Sequence, residues 1–418
     1  MSKAQSAKKR EGIHYGWICA TGGLSSQFVY EIPLGIYPLV MASMMIALGM
    51  TIAEAGLIIS MSGVTLVVGS PAWGAIVSKI GLRKALTIGS IVLSIGTIGM
   101  GIAPSAIIAG AFYSITGFGG AAVMVISNVI VGTWFHARRR GVINGYLNST
   151  PSLLSAALGI IVPALLIAYD WRFVWYLWGG ISLLLSGVVF ALVRNSPKDK
   201  GLSRCGAPLE AEAKSEGVIP QAGTQERVKS SDVLKMGITW HLSIVLILIT
   251  MMWISVASFL PVYIILQVGL SVVVAGLAIA IFSLAGLVGG FAWGFISDHI
   301  PRKIAMLGAV CIFIVSLLAL IYFGTETTII YVLSGIMGFA VACGVISFAM
   351  VPDYFPVKVL GTASGVINAM CGLGMVITPF LIGYVAEITG SYVPAFEVVV
   401  LFAVAETIAV LILRKPKY

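Results

Sequence analysis

One acidic side chain lies in the middle of the first long apolar stretch of the chain. Glu31 is flanked on both sides by aliphatic and aromatic residues. Apolar surroundings disfavour the charged form of a carboxyl group, which brings proton uptake and release within reach of ordinary conditions. Glu31 is therefore a candidate proton-coupling group, or a partner for a cationic solute. The alternative is a protonated carboxyl that only bonds a neighbouring helix. Gln27, one helical turn earlier on the same face, is placed to hydrogen-bond Glu31 and is also a candidate solute contact.

Amide and aromatic side chains supply further candidate solute contacts. Asn144, Asn148 and Asn368 each offer two donors and two acceptors, which suits an uncharged polar solute. Tyr30 and Trp253 can stack on a solute or hydrogen-bond to it. Each has a structural alternative, because amides often join helices inside membranes and aromatic residues often only pack.

Other chemistry is not indicated. The five cysteines show no paired spacing and no C-x-x-C, so neither a disulfide framework nor a metal site is expected. No Ser–His–Asp or Cys–His set can be assembled within the apolar stretches, and no nucleotide-binding motif is present. The sequence predicts a protein that is not an enzyme and that has no cofactor.

The composition decides which elements must position these residues. Hydrophobic residues make up 59% of the 418 positions and charged residues 10%, whereas soluble proteins carry about 25% charged residues. Twelve apolar runs are long enough to cross a bilayer as helices. The sequence predicts an all-α membrane protein with helices at roughly 14–47, 52–78, 84–103, 105–134, 141–169, 171–194, 237–267, 271–298, 302–323, 326–353, 360–388 and 391–413.

The net charge of +9 is a topology signal. With the N-terminus inside, every one of the 25 Lys and Arg residues except Arg172 falls in a tail or loop on the inner side. The positive-inside rule then predicts a multi-pass inner-membrane protein with both termini cytoplasmic. A nucleic-acid partner is not expected, since the basic residues follow the membrane topology.

A constant offset of 220 positions relates the two parts of the chain. It joins Ala55-Gly56 to Ala275-Gly276, Trp73-Gly74 to Trp293-Gly294, and Asn148 to Asn368. The sequence therefore predicts two homologous six-helix halves, residues 1–194 and 236–418. The polar segment 195–235 between them is a cytoplasmic linker to which no fold is assigned. One chain then holds a complete unit and is expected to work as a monomer by alternating access.

At the loop after the second helix, the sequence resembles the major facilitator superfamily. Residues 74–84 are similar to that family's G-x-x-x-D-x-x-G-R-K signature, and residues 294–303 repeat it. The resemblance implies a conformational latch made by Gly74, Arg83, Gly294, Asp298 and Arg302. Ser78 replaces the acid of the first copy, so the second copy is expected to be the stronger latch.

The resemblance also suggests a function. Residues 355–365 and 389–392 look like branches that include monocarboxylate and oxalate–formate transporters. The leading hypothesis is a secondary transporter of a small organic solute, a proton-coupled monocarboxylate or related organic anion, by symport. The predicted helices 8 (about 271–297) and 11 (about 360–386) contain no Lys or Arg, which weighs against a carboxylate. The alternatives are a proton-coupled exporter of cationic or apolar compounds and, less favoured, a solute sensor that signals through the linker.

Overall fold

The protein is described by a computed structural model, which covers residues 14–136, 143, 147, 150–205, 233–355 and 357–413. Within this part of the chain, twelve helices are long and apolar enough to cross a membrane. They are α1 (Tyr15–Leu48), α2 (Ile52–Ile80), α3 (Leu82–Ile102), α4 (Ala106–Trp134), α5 (Thr150–Ala168), α6 (Trp171–Leu192), α7 (Gly237–Val262), α8 (Val272–His299), α9 (Arg302–Phe323), α10 (Thr327–Val341, then Gly344–Tyr354), α11 (Val357–Thr389) and α12 (Tyr392–Ile412). The prediction of an all-α fold with twelve helices in two pseudo-symmetric halves is confirmed.

Two helices are less regular than their apolar patterns suggest. The α7 helix continues into a π-helical turn, Tyr263–Gln267. The α10 helix is broken at Ala342 and Cys343 before it resumes at Gly344. Apolar content reports that a segment crosses the membrane, but it carries no information on a local change of hydrogen-bond register.

The first residues of the linker are ordered on the N-terminal half. Pro197–Lys200 forms a 3₁₀ turn. Further on, the Cys205 N–H donates to the Trp134 carbonyl at 2.9 Å, and the His136 N–H donates to the Cys205 carbonyl at 3.1 Å. The sequence analysis assigned no fold to residues 195–235; their first part packs against the end of α4, and residues 206–232 lie outside the described part.

The two halves meet at the end of the bundle away from the chain termini, which we call the closed face. Here α2 packs on α11 and α5 on α8 with little between the backbones. A Cβ atom on Gly56 would clash with the Pro379 carbonyl, and one on Gly159 would lie 2.5 Å from the Gly276 carbonyl. The Phe380 N–H also donates to Ser60 Oγ at 3.0 Å. Small residues therefore allow a tight contact between the halves.

At the opposite end, which we call the termini face, the described parts of α2, α8 and α11 lie apart. A Cβ atom on Gly74, Gly294 or Gly365 would meet nothing within 4 Å. One buried core includes residues of both halves, whereas a second core, around Trp134 and Phe135, is built from the N-terminal half and Cys205 of the linker. The structure is therefore closed on one face and open on the face that carries the termini.

Candidate functional site: a central cavity beside α1

A cavity of about 420 Å³ lies between the two halves. Its lining comes from α1, α2, α4 and α5 on one side and from α7, α8, α10 and α11 on the other. Among the described lining residues, Glu31 is the one ionisable carboxyl, and no Lys, Arg or His contributes. A cavity of this size suits one small solute.

Glu31 faces this cavity from a part of α1 that contains two prolines. Pro33 and Pro38 lie inside the helix. Each lacks a backbone N–H, so the carbonyl four residues earlier loses its usual helical partner. Glu31 is half-buried, and no hydrogen bond or ion pair to it is found among the described residues. Its carboxyl group lies in the lining of the cavity.

Three aromatic side chains from three helices pack together beside the proline-containing segment of α1. The rings of Tyr37 and Tyr113 are 4.9 Å apart, and Trp175 stands 6.3 Å from Tyr113. The Tyr113 hydroxyl donates to the Pro33 carbonyl at 3.2 Å, and the Tyr37 hydroxyl donates to the Ala55 carbonyl at 2.9 Å. These contacts fix the proline-containing segment of α1 and therefore the position of Glu31.

Some residues predicted to bind solute reach the cavity and others do not. Trp253 lines it from α7 and is 40% exposed. Tyr30 is buried and borders a separate small cleft, and Gln27 lies outside the cavity lining, with no hydrogen bond to Glu31 among the described residues.

The three predicted amides stay untested. Asn144 and Asn148 lie outside the described residues. Asn368 is on α11, but its side chain is also outside the described part. Their proposed role as solute ligands therefore rests on the sequence alone.

A pair of serines joins the two halves within the cavity. The Ser283 hydroxyl on α8 donates to Ser155 Oγ on α5 at 2.9 Å. Both side chains line the cavity. Sequence reasoning missed this pair, as it missed Tyr113, because the two serines are not related by the repeat offset and contain no motif.

The predicted latch residues make contacts within their own halves. The Arg83 Nε–H donates to the Phe190 carbonyl at 2.8 Å, and its backbone N–H donates to Asn195 Oδ1 at 2.9 Å. The repeat counterpart of Arg83, Lys303, donates in the same way to the Leu411 carbonyl at 2.6 Å. In both halves a cation therefore binds carbonyls at the end of the sixth helix, where the helix dipole favours positive charge.

Arg302 pairs with an acid that the sequence analysis did not consider. Its guanidinium donates to Asp353 at the end of α10 and to the Ala349 carbonyl. Asp298 is exposed, and no ion pair to it is found in the described part. A Cβ atom added to Gly74 or Gly294 would have no neighbour within 4 Å. With the termini face open, none of the described contacts of these residues crosses between the halves.

One acidic residue does cross between the halves, at the closed face. The Ala53 N–H, in the first turn of α2, donates to Glu387 Oε2 on α11 at 2.8 Å. First-turn N–H groups have no partner within their own helix, and the helix dipole favours a negative charge there. Glu387 therefore stabilises the contact of α2 with α11.

Replacing Glu387 by Ala should make the closed face open more readily. We expect a membrane-impermeant maleimide, added at that face, to label an Ile59→Cys cavity residue up to about fivefold faster, which is the effect of one charge near a helix N-terminus. Glu397→Ala is the matched control, because Glu397 accepts from Tyr322 within one half. Equal labelling of the two variants would show that the Glu387 contact does not hold the face shut.

Comparison with known proteins identifies relatives along most of the chain. The family model described as Major Facilitator Superfamily matches residues 23–343 and 242–418. The probable galactarate/D-glucarate transporter GarP of Escherichia coli (strain K12) is 24% identical over 63% of this chain, and the match spans 62% of that relative, less than two thirds of its length. The hexuronate transporter of Bacillus subtilis (strain 168) is 23% identical over 72% of this chain and 71% of its own length.

Solved structures share the fold over nearly the whole chain. The D-xylose–proton symporter superposes with a TM-score of 0.76 at 14% identity, covering 96% of this chain and 99% of its own. A bacterial homologue of the lysosomal transporter Spinster, in an inward-facing and unoccupied conformation, gives a TM-score of 0.72 at 16% identity, covering 96% of both chains. At these identities the likeness shows the fold alone.

Proposed function

Because this chain belongs to the Major Facilitator Superfamily and is a transporter rather than an enzyme, we propose that it carries a small organic acid together with a proton. The leading substrate class is a monocarboxylate or related organic anion. Relatives named as transporters of galactarate, glucarate and hexuronate support an acidic solute. The observation that carries the proposal is Glu31, the carboxyl in the central cavity.

Electrostatic repulsion couples the binding of the proton to the binding of the organic acid. Two negative charges about 4 Å apart repel by about 4 kcal/mol at the effective dielectric constant of a protein near its surface. A solute carboxylate therefore binds beside Glu31 only when Glu31 carries a proton, and the neutral carboxyl then donates a hydrogen bond to it. Proton and acid enter and leave together, which is symport.

The two faces of the bundle supply alternating access. With both termini in the cytoplasm, as the positive charges indicate, the open termini face is the inner side and the structure is inward-open. We propose that the halves rock about the cavity until the closed face parts and the termini face shuts. In that movement Arg83 and Arg302 exchange their present contacts for contacts between the halves, and Asp298 gains such a contact. One chain holds both halves, so the monomer is the transport unit.

A second function has its own support. Among the described lining residues no base is present to pair with a carboxylate. The same lone acid suits a proton-coupled exporter of cationic or apolar compounds, in which the solute and the proton compete for Glu31. The two functions differ in the direction in which a pH gradient drives the solute.

A pH gradient across proteoliposomes separates these functions. With the outside one pH unit more acidic, we expect a transported monocarboxylate to accumulate about tenfold inside by electroneutral symport. An organic cation exchanged for protons would instead be driven outwards. Accumulation of a cation when the interior is the more acidic side, with no movement of any acid, would replace the symport proposal with the exporter.

A further inference from the structure

We infer that the acid transported by this protein has an apolar body, branched or aromatic, and not a hydroxylated chain. The inference rests on the proposed function for the acidic group of the solute. It specifies the chemical character of the rest of the solute. The sugar acids named for the relatives would be poor substrates by this account.

The two halves contribute different chemistry to the cavity. The N-terminal half provides the carboxyl group, Glu31. The wall from the C-terminal half is built largely from bulky apolar side chains, among them Trp253, Phe282, Phe291, Ile254, Leu287 and Met375. The acidic group of a solute is therefore placed against α1, and its body lies against α7 and α8.

Several hydroxyl groups of the lining already have partners. The Tyr37 and Tyr113 hydroxyls donate to the Ala55 and Pro33 carbonyls. Ser155 and Ser283 bond each other at 2.9 Å. Ser152 and Ser258 also line the cavity, and no partner for either is found among the described residues. A solute with a hydroxyl on every carbon has more hydroxyls than these two serines can pair with. It must therefore break the bonds above or bury hydroxyls unpaired, and each unpaired hydroxyl weakens binding about tenfold. An apolar body meets no such cost.

A solute with an apolar body that fills the cavity gains binding affinity from contact with the apolar wall. A cavity of about 420 Å³ lies at the small end of the range of about 300–1,000 Å³ for ligand sites. Each buried CH₂ group strengthens binding about fourfold. A short branched chain or a single ring therefore gains affinity from Trp253 and its neighbours, and a hydroxylated chain of similar length does not.

Two acids with the same charge test the inference. Phenylacetate has an aromatic body and gluconate a hydroxylated one. Proteoliposomes that contain the protein and a pH-sensitive dye are given each acid in turn, and the initial rate of internal acidification above that of protein-free liposomes is measured. We expect phenylacetate to half-saturate the rate at a concentration at least about tenfold below that of gluconate.

A pair of adjacent residues supplies matched variants. Leu287 lines the cavity, whereas Val288, next to it on α8, is 61% exposed and lies outside the lining. Leu287→Thr should raise the half-saturating concentration of phenylacetate about fourfold or more. Val288→Thr should leave it unchanged. Equal effects of the two variants would contradict binding of the body on this wall.

The outcomes separate this inference from the proposed function. If gluconate moves protons as well as phenylacetate does, or better, the inference is overturned and proton–acid symport stands. If neither acid moves protons but an organic cation does, the proposed function fails and the inference fails with it. A clear preference for phenylacetate that Leu287→Thr reduces supports both.

Discussion

Oxidation of a Ser155→Cys/Ser283→Cys double variant should abolish transport, and a reductant should restore it. The two hydroxyl oxygens are 2.9 Å apart across the halves, so thiols at these positions are close enough to form a disulfide. That bond would tie α5 to α8 where the halves must separate for the closed face to open. Solute exchange by proteoliposomes, measured before oxidation, after oxidation and after reduction, gives the result.

A second serine pair provides the control. Ser94 and Ser186 have hydroxyl oxygens 3.4 Å apart, but α3 and α6 both belong to the N-terminal half. A disulfide there should leave exchange intact, because it does not connect moving parts. Full exchange by the oxidised Ser155→Cys/Ser283→Cys protein, with the disulfide verified by mass spectrometry, would show that α5 and α8 do not part during transport.

Replacing Glu31 by Gln should remove accumulation of the solute while leaving its exchange. Gln keeps a hydrogen-bonding group of the same size that cannot gain or lose a proton. A one-unit pH gradient that concentrates the solute about tenfold in the parent should then give a ratio near one. Counterflow of labelled solute against an unlabelled internal pool, which needs no net proton movement, should continue.

Two further variants sharpen this result. Glu406, on α12, is fully buried, lies outside the cavity lining, and has no hydrogen-bond partner among the described residues. Glu406→Gln should keep accumulation, because this carboxyl does not meet the solute. Glu31→Asp should keep part of it. If Glu31→Gln still concentrates the solute and Glu406→Gln does not, the proton-coupling group is Glu406 on α12 and not Glu31.

The twelve helices and the internal repeat could be predicted from the sequence because each depends on many residues. Twelve apolar runs mark twelve spans, and an error of a few residues at an end changes none of them. The offset of 220 positions rests on many residue pairs. Local irregularities, such as the break in α10 at Ala342 and Cys343, depend on hydrogen bonds that an apolar pattern does not record.

The candidate site could be predicted only in part. Glu31 and Trp253 were found because an acid or an indole in the middle of an apolar helix is conspicuous by itself. Tyr30 is adjacent to Glu31, but successive residues of a helix point about 100° apart, so Tyr30 faces another cleft. Ser155, Ser283 and Tyr113 acquire their roles from contacts between distant helices, which spacing along the chain does not reveal.

Internal pH during solute entry is the most direct test of proton coupling through Glu31. Proteoliposomes with a trapped pH indicator, containing either the parent or Glu31→Gln, are given a monocarboxylate for which counterflow has been shown. We expect acidification by the parent to be faster than in protein-free liposomes and acidification by the variant to match that of protein-free liposomes, although both exchange the acid. Equal acidification by parent and variant would contradict this expectation, because the proton would then travel by a route that does not include Glu31.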